Sequence, residues 1–183
     1  MKSLFSLLRS SNGTLDWIFV RHVIHSVLQL LKEKHRSGFV HSAIHPKNVL
    51  SCNGDVELAL RDCNRSSYYA PEVLLRLEAK MDDVFTEEND IWAIGNILFE
   101  SILGYPPLTG GSYDELLSAI FTRFGNPQRK DMRYLQDTRF NCLKLSRPDV
   151  IPTSWIIIGK AQLNSDDVEG YSRIVQLQNN CQK

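Results

Sequence analysis

The chain has 183 residues, 43% of them hydrophobic, and its 21 Lys+Arg residues balance 21 Asp+Glu. That is enough to bury one substantial core, which predicts a single domain over 1–183. Charge neutrality excludes an extended basic surface for nucleic acid or for a membrane, and no apolar run approaches the ~20 residues of a membrane span.

In chain order, Leu4, Phe5, Leu7 and Leu8 make Lys2 to Arg9 a short amphipathic turn or two, broken at Ser10-Ser11-Asn12-Gly13. Asp16 to Lys34 repeats Val20, Val23, Ile24, Val27, Leu28 and Leu31 at a helical period, predicting a core helix with one wet face. His22 and His25 fall on that wet face and read as solvated rather than as a metal pair, since no acidic or cysteine ligands neighbour them. Cys52-Asn53-Gly54-Asp55 reads as a tight turn joining Asn48-Val49-Leu50 to Val56-Glu57-Leu58 in a small β-hairpin. Asn89 to Leu108 is the most apolar helical stretch. Ile91, Ile94, Ile97, Leu98, Phe99 and Ile102 leave it no clean polar face, so it belongs in the middle of a domain. Carboxylates between Thr86 and Asp90 favour its start, and Gly104 with Pro106 and Pro107 stops it. Tyr113 to Phe124 spaces Leu116, Leu117, Ile120 and Phe124 as a further helix, and Gln128 to Asp137 reads as a polar, solvated insert. Cys52, Cys63, Cys142 and Cys181 form no C-x-x-C pair and follow no apolar leader, which reads as reduced thiols of an intracellular protein, cytoplasmic or nuclear.

Three motifs stand in a fixed order. Asp90-x-Trp92-x-x-Gly95, followed by Glu100 and Gly104-x-Pro106-Pro107, resembles the central helix of the C-terminal lobe of eukaryotic protein kinases. Tyr68-Tyr69-Ala70-Pro71-Glu72 resembles the family's Y-x-A-P-E, and His41-Ser42-Ala43-Ile44-His45-Pro46-Lys47-Asn48-Val49-Leu50 resembles its catalytic loop. Pro46 and Phe124-Gly125-Asn126-Pro127 point to a Ser/Thr type nearest the cyclin-dependent and MAP kinase branch. The resemblance covers about residues 1–127 and thins over 128–183. It implies a mostly α-helical kinase-like C-terminal lobe with a central buried helix and one small β-hairpin.

The loop is depleted of what phosphotransfer needs. Ala43 stands where the family has its catalytic aspartate, Ser42 where it has the preceding arginine, and His45 where it has a lysine for the transferred phosphoryl group. Asn48 matches a magnesium ligand but equally suits a loop-capping amide. Asp62 reaches the metal-binding aspartate position only if Asp62-Cys63-Asn64 is aligned there. From Asp62 to Glu72 there are only eleven residues, about half or less of an activation segment, so Ser66, Ser67, Tyr68 and Tyr69 read as packing and turn residues. Nothing in the chain matches the family's glycine-rich loop, strand lysine or helix glutamate. That pattern fits either a gene for the C-terminal lobe alone or a missed upstream start.

His41, Glu72, Asp90, Trp92 and Gly95 are expected to keep structural family roles, with Trp92 and Ile94 buried. Glu72 beneath the central helix needs a buried cationic partner, for which Arg173 is the choice and Arg147 the second. No catalytic residue and no bound cofactor or metal is expected. The functional expectation is an inactive kinase-like protein that binds a protein partner or itself. Its surface for doing so would be the face turned toward the small lobe in a complete kinase, formed by Leu4, Phe5, Leu8 and the hairpin Val49 to Leu58. The alternative is a divergent Mg-ATP-dependent Ser/Thr kinase working with a separate N-terminal lobe. A third reading, of another class, is a helical structural protein whose motifs are coincidental.

Overall fold

Asp16 begins the first long helix because its carboxylate accepts the backbone N–H of Phe19 at 3.1 Å, satisfying a donor the helix start would leave open. In the computed structural model, which describes residues 1–11, 15–60, 66–81 and 85–125, the elements in order are β1 (Lys2–Ser3), α1 (Leu4–Ser10), α2 (Trp17–Arg36), β2 (Val49–Cys52), β3 (Asp55–Leu58), a 3-10 turn (Ser66–Tyr68), α3 (Pro71–Glu78), α4 (Glu87–Leu103) and α5 (Tyr113–Phe124).

The expected hairpin is present and is joined by a third strand. β2 and β3 pair antiparallel with Cys52 opposite Asp55, and β1 adds to the other edge of β2 with Lys2 opposite Ser51. Asn53 and Gly54 make the two-residue connection with φ of 51° and 93°, the left-handed geometry that matches the twist of the strands. His22 contributes too, because its Nε2 lies 2.6 Å from the Gly54 carbonyl. The side chain expected only to face solvent thus ties α2 to the hairpin turn.

α4 is the element shared by two apolar clusters. Ala93, Ile94 and Ile97 pack with Leu4, Leu8, Val23, Val27, Leu31, Ile44, Val49 and Tyr68. The second cluster joins α3 and α5 through Val73, Leu74, Leu116, Leu117 and Ile120, with Trp92 of α4 packed against it. Each such side chain taken fully out of water contributes about 1.5–3 kcal/mol. Gly104 closes α4 at φ 80°, and its N–H donates to the Glu100 carbonyl.

Three expectations are corrected here. Ile91 is 49% exposed, so α4 does have a wet side at its first turns, shared with Glu87 and Glu88. Trp92 is half-buried rather than buried, its ring 5.4 Å from that of Phe124. Leu4 and Leu8, expected to meet water, are 1% and 4% exposed. Residues 2–3 add a strand before α1, and that start directs the apolar stripe of α1 inward, onto α2 and β2.

Asp62, Arg147 and Arg173, with the whole of 128–183, lie outside the described residues. No helix among the described residues is long and apolar enough to cross a membrane.

Candidate functional site

The site is the segment His41 to Asn48, held from beneath by α4. Asp90, fully buried in the first turn of α4, accepts the backbone N–H of His41 through Oδ2 and that of Ser42 through Oδ1, each at 2.8 Å. His35 near the end of α2 reaches the same Oδ2 with Nε2 at 2.9 Å. A carboxylate only accepts, so the proton of that bond sits on His35 Nε2. One side chain therefore joins α2, α4 and the loop. The sequence singles out Asp90 but not His35, whose only signal is a histidine in the last turn of a helix.

The two bonded amides allow the loop a sharp reversal. Ser42 has φ 63°, a left-handed conformation that costs a non-glycine residue about 1–3 kcal/mol and persists only where surroundings enforce it. Here the Ser42 N–H bond to Asp90 enforces it.

Inside the reversal, Ala43 is 4% exposed and Ile44 2%. Asn48, fully buried, donates from Nδ2 to the Ala43 carbonyl at 2.9 Å. The amide thus performs the loop-capping role that was one of its two sequence readings. His45, buried, lies with its ring 6.2 Å from that of Tyr68. The Lys47 N–H reaches His45 Nδ1 at 3.3 Å, and the Phe5 N–H reaches the Pro46 carbonyl at 3.0 Å. The loop is anchored at both ends, yet residues 41–48 contain no carboxylate.

His41 is 3% exposed, and neither ring nitrogen has a hydrogen-bond partner among the described residues. Burial pushes its imidazole below the ordinary value, partly opposed by the Asp90 charge and aided by Lys34. The Phe39 ring meets it edge-on at 6.5 Å.

The Tyr68 to Glu72 segment packs against α4 from the other side. The Tyr68 hydroxyl donates to Glu100 Oε2, and the Ala70 N–H donates to Asn89 Oδ1 at 3.0 Å. Tyr68 and Tyr69 are each 7% exposed, so both serve packing, as expected. Glu72 follows Pro71 in the first turn of α3; burial pushes its carboxyl up, its backbone hydrogen bond opposes this, and Glu88 adds to it. Glu72 forms no ion pair with a described residue. Gly95 is half-buried in the middle of α4.

A magnesium–nucleotide complex needs hard oxygen donors. Among the described residues no three or more His, Cys, Asp or Glu side chains converge to hold a metal ion. Asn48 donates from Nδ2 to Ala43, whereas a metal ion would use the other amide atom, Oδ1, so that bond neither fills nor removes a ligand position.

A buried helix whose first-turn aspartate holds a kinked loop beside a small antiparallel sheet is the arrangement of a kinase-like C-terminal lobe, and a solved kinase structure shares this fold. The relatives of the chain are Ser/Thr protein kinases of the cyclin-dependent and MAP kinase type. It is 27% identical over 184 residues to cyclin-dependent kinase F-3 of Oryza sativa subsp. japonica, covering 91% of this chain and 40% of that protein. It is 26% identical to the mitogen-activated protein kinase KSS1 of Saccharomyces cerevisiae, covering 91% of this chain and 50% of that protein. The solved structure of a MAP kinase from Leishmania major superposes with a TM-score of 0.75 at 19% identity, over 92% of this chain and 54% of that one. The chain therefore spans about half or less of the length of these relatives. No family model matches it. With the kinase fold in place and α4 in its interior, the reading as an unrelated helical protein falls away.

Proposed function

We propose that the chain is a catalytically inert kinase-like protein, intracellular, that acts by binding other proteins. The observation that carries this reading is Ala43. It occupies the position of the catalytic carboxylate in a loop whose supports, Asp90, His35 and Asn48, are all in place. The scaffold is kept while the reacting group is a methyl.

Loss of a positioned base alone costs about 10²–10⁴ in rate. Phosphoryl transfer otherwise depends on positioning and charge stabilisation. With Ser42 and His45 standing where the family has arginine and lysine, that stabilisation is reduced too. Restoring Ala43→Asp alone should therefore not restore activity.

The test is a radiolabelled-phosphate assay on a generic basic protein, with magnesium or manganese and ATP, for wild type and Ala43→Asp side by side. No incorporation above a no-enzyme blank is expected from either. Incorporation by the wild type would establish instead a divergent Ser/Thr kinase, and incorporation by the variant alone would show that a competent nucleotide site survives.

A further inference from the structure

On the face expected to be apolar, Leu4 and Leu8 turn inward and Phe5 stays half-buried, with two cations close to its ring. The Arg9 guanidinium carbon lies 5.0 Å from the Phe5 ring centroid and Lys47 Nζ 5.2 Å from it. The two cations arrive by different routes. Arg9 is four residues after Phe5 on α1, one helical turn along the same face. Lys47 belongs to the loop, placed there by the bond from the Phe5 N–H to the Pro46 carbonyl.

Neither Arg9 nor Lys47 forms an ion pair with a described residue. Both are exposed. Two like charges held around one ring repel each other, and exposed cation–π contacts are weak enough to give way to a stronger anion.

We infer that Phe5, Arg9 and Lys47 form a docking point for an acidic protein segment, one that presents spaced Asp or Glu carboxylates. This rests on the reading of the chain as a protein-binding module and supplies the chemistry of its partner. The two cations are single charges on separate elements, which suits separated carboxylates better than one compact dianion. A chain with no net charge lacks the extended basic track that a nucleic acid requires.

The experiment is fluorescence anisotropy of labelled octaglutamate titrated with the full chain at low and at physiological salt. Wild type should bind, more weakly as salt rises. Arg9→Glu and Lys47→Glu should each weaken binding by about fivefold or more, with Arg9→Gln and Lys47→Gln intermediate. Arg21→Glu, a reversal at an exposed position of α2, should bind as wild type does, and circular dichroism melts check that every variant is folded. Absence of wild-type binding, an equal loss in Arg21→Glu, or equally tight binding of labelled oligothymidylate would each overturn the inference. Phosphate incorporation by the same preparation, with peptide binding intact, would overturn the inert reading alone. No peptide binding and no incorporation would overturn the docking point alone.

Discussion

Asp90 and His41 show how single buried groups set the conformation of this loop. Asp90 accepts two backbone N–H groups and one imidazole. Asp90→Ala would strand those donors where water does not replace the lost acceptor, so it should destabilise the fold by about 3–5 kcal/mol. Urea denaturation of wild type and variant measures this, and an unchanged midpoint would show that the loop is held by other means. His41 makes a pH prediction. Its folded-state value lies below the ordinary 6.5 because burial disfavours the cation. As pH falls through 6.5, the unfolded chain binds a proton that the folded chain does not, so stability declines from there down to the folded value. Above 6.5 the contribution is flat. His41→Leu removes it. The stability difference between wild type and His41→Leu should therefore shift against the wild type as pH falls from about 8 to about 5.5, as read from denaturation midpoints. A difference independent of pH would mean that the ring titrates alike in both states.

Among the elements, α4 is shared by both apolar clusters, with buried Ala93, Ile94 and Ile97 in one and half-buried Trp92 packed against the other. Ile94 is 5% exposed and packs among side chains of α1, α2 and β2. Ile94→Ala should destabilise by about 2–5 kcal/mol, from lost burial and the cavity left behind. Equilibrium denaturation reads that value directly, and a midpoint equal to that of the wild type would remove α4 from its central place. Three helices are legible in the sequence: α2 and α5 from their apolar period, and α4 from its hydrophobicity and Gly104 stop. α3 was not read as a helix. Its eight residues, Pro71–Glu78, are too short to establish a period, and in the sequence Pro71 reads as part of the Y-x-A-P-E motif rather than as a helix start. β1 was missed because two residues, Lys2–Ser3, carry no alternation at all.

At the scale of the whole molecule, the sequence determined the kinase-lobe architecture through local signals that need no partner. These are the helical period of α2 and α5, the Asn53-Gly54 turn, the glycine and prolines after α4, and the order of three motifs. It also determined the chemical depletion of the loop, since a missing carboxylate between His41 and Asn48 is a matter of composition. Tertiary structure alone decided which groups meet. His35 and Asp90 are 55 residues apart, and nothing local marks either as the other's partner. Likewise, the inward turn of Leu4 and Leu8 and the placement of Arg9 and Lys47 around Phe5 depend on β1 pairing with β2 and on the Phe5-to-Pro46 bond. The physical reason is that periodicity and caps are encoded within a few residues, whereas burial and long-range hydrogen bonds exist only once distant segments pack together.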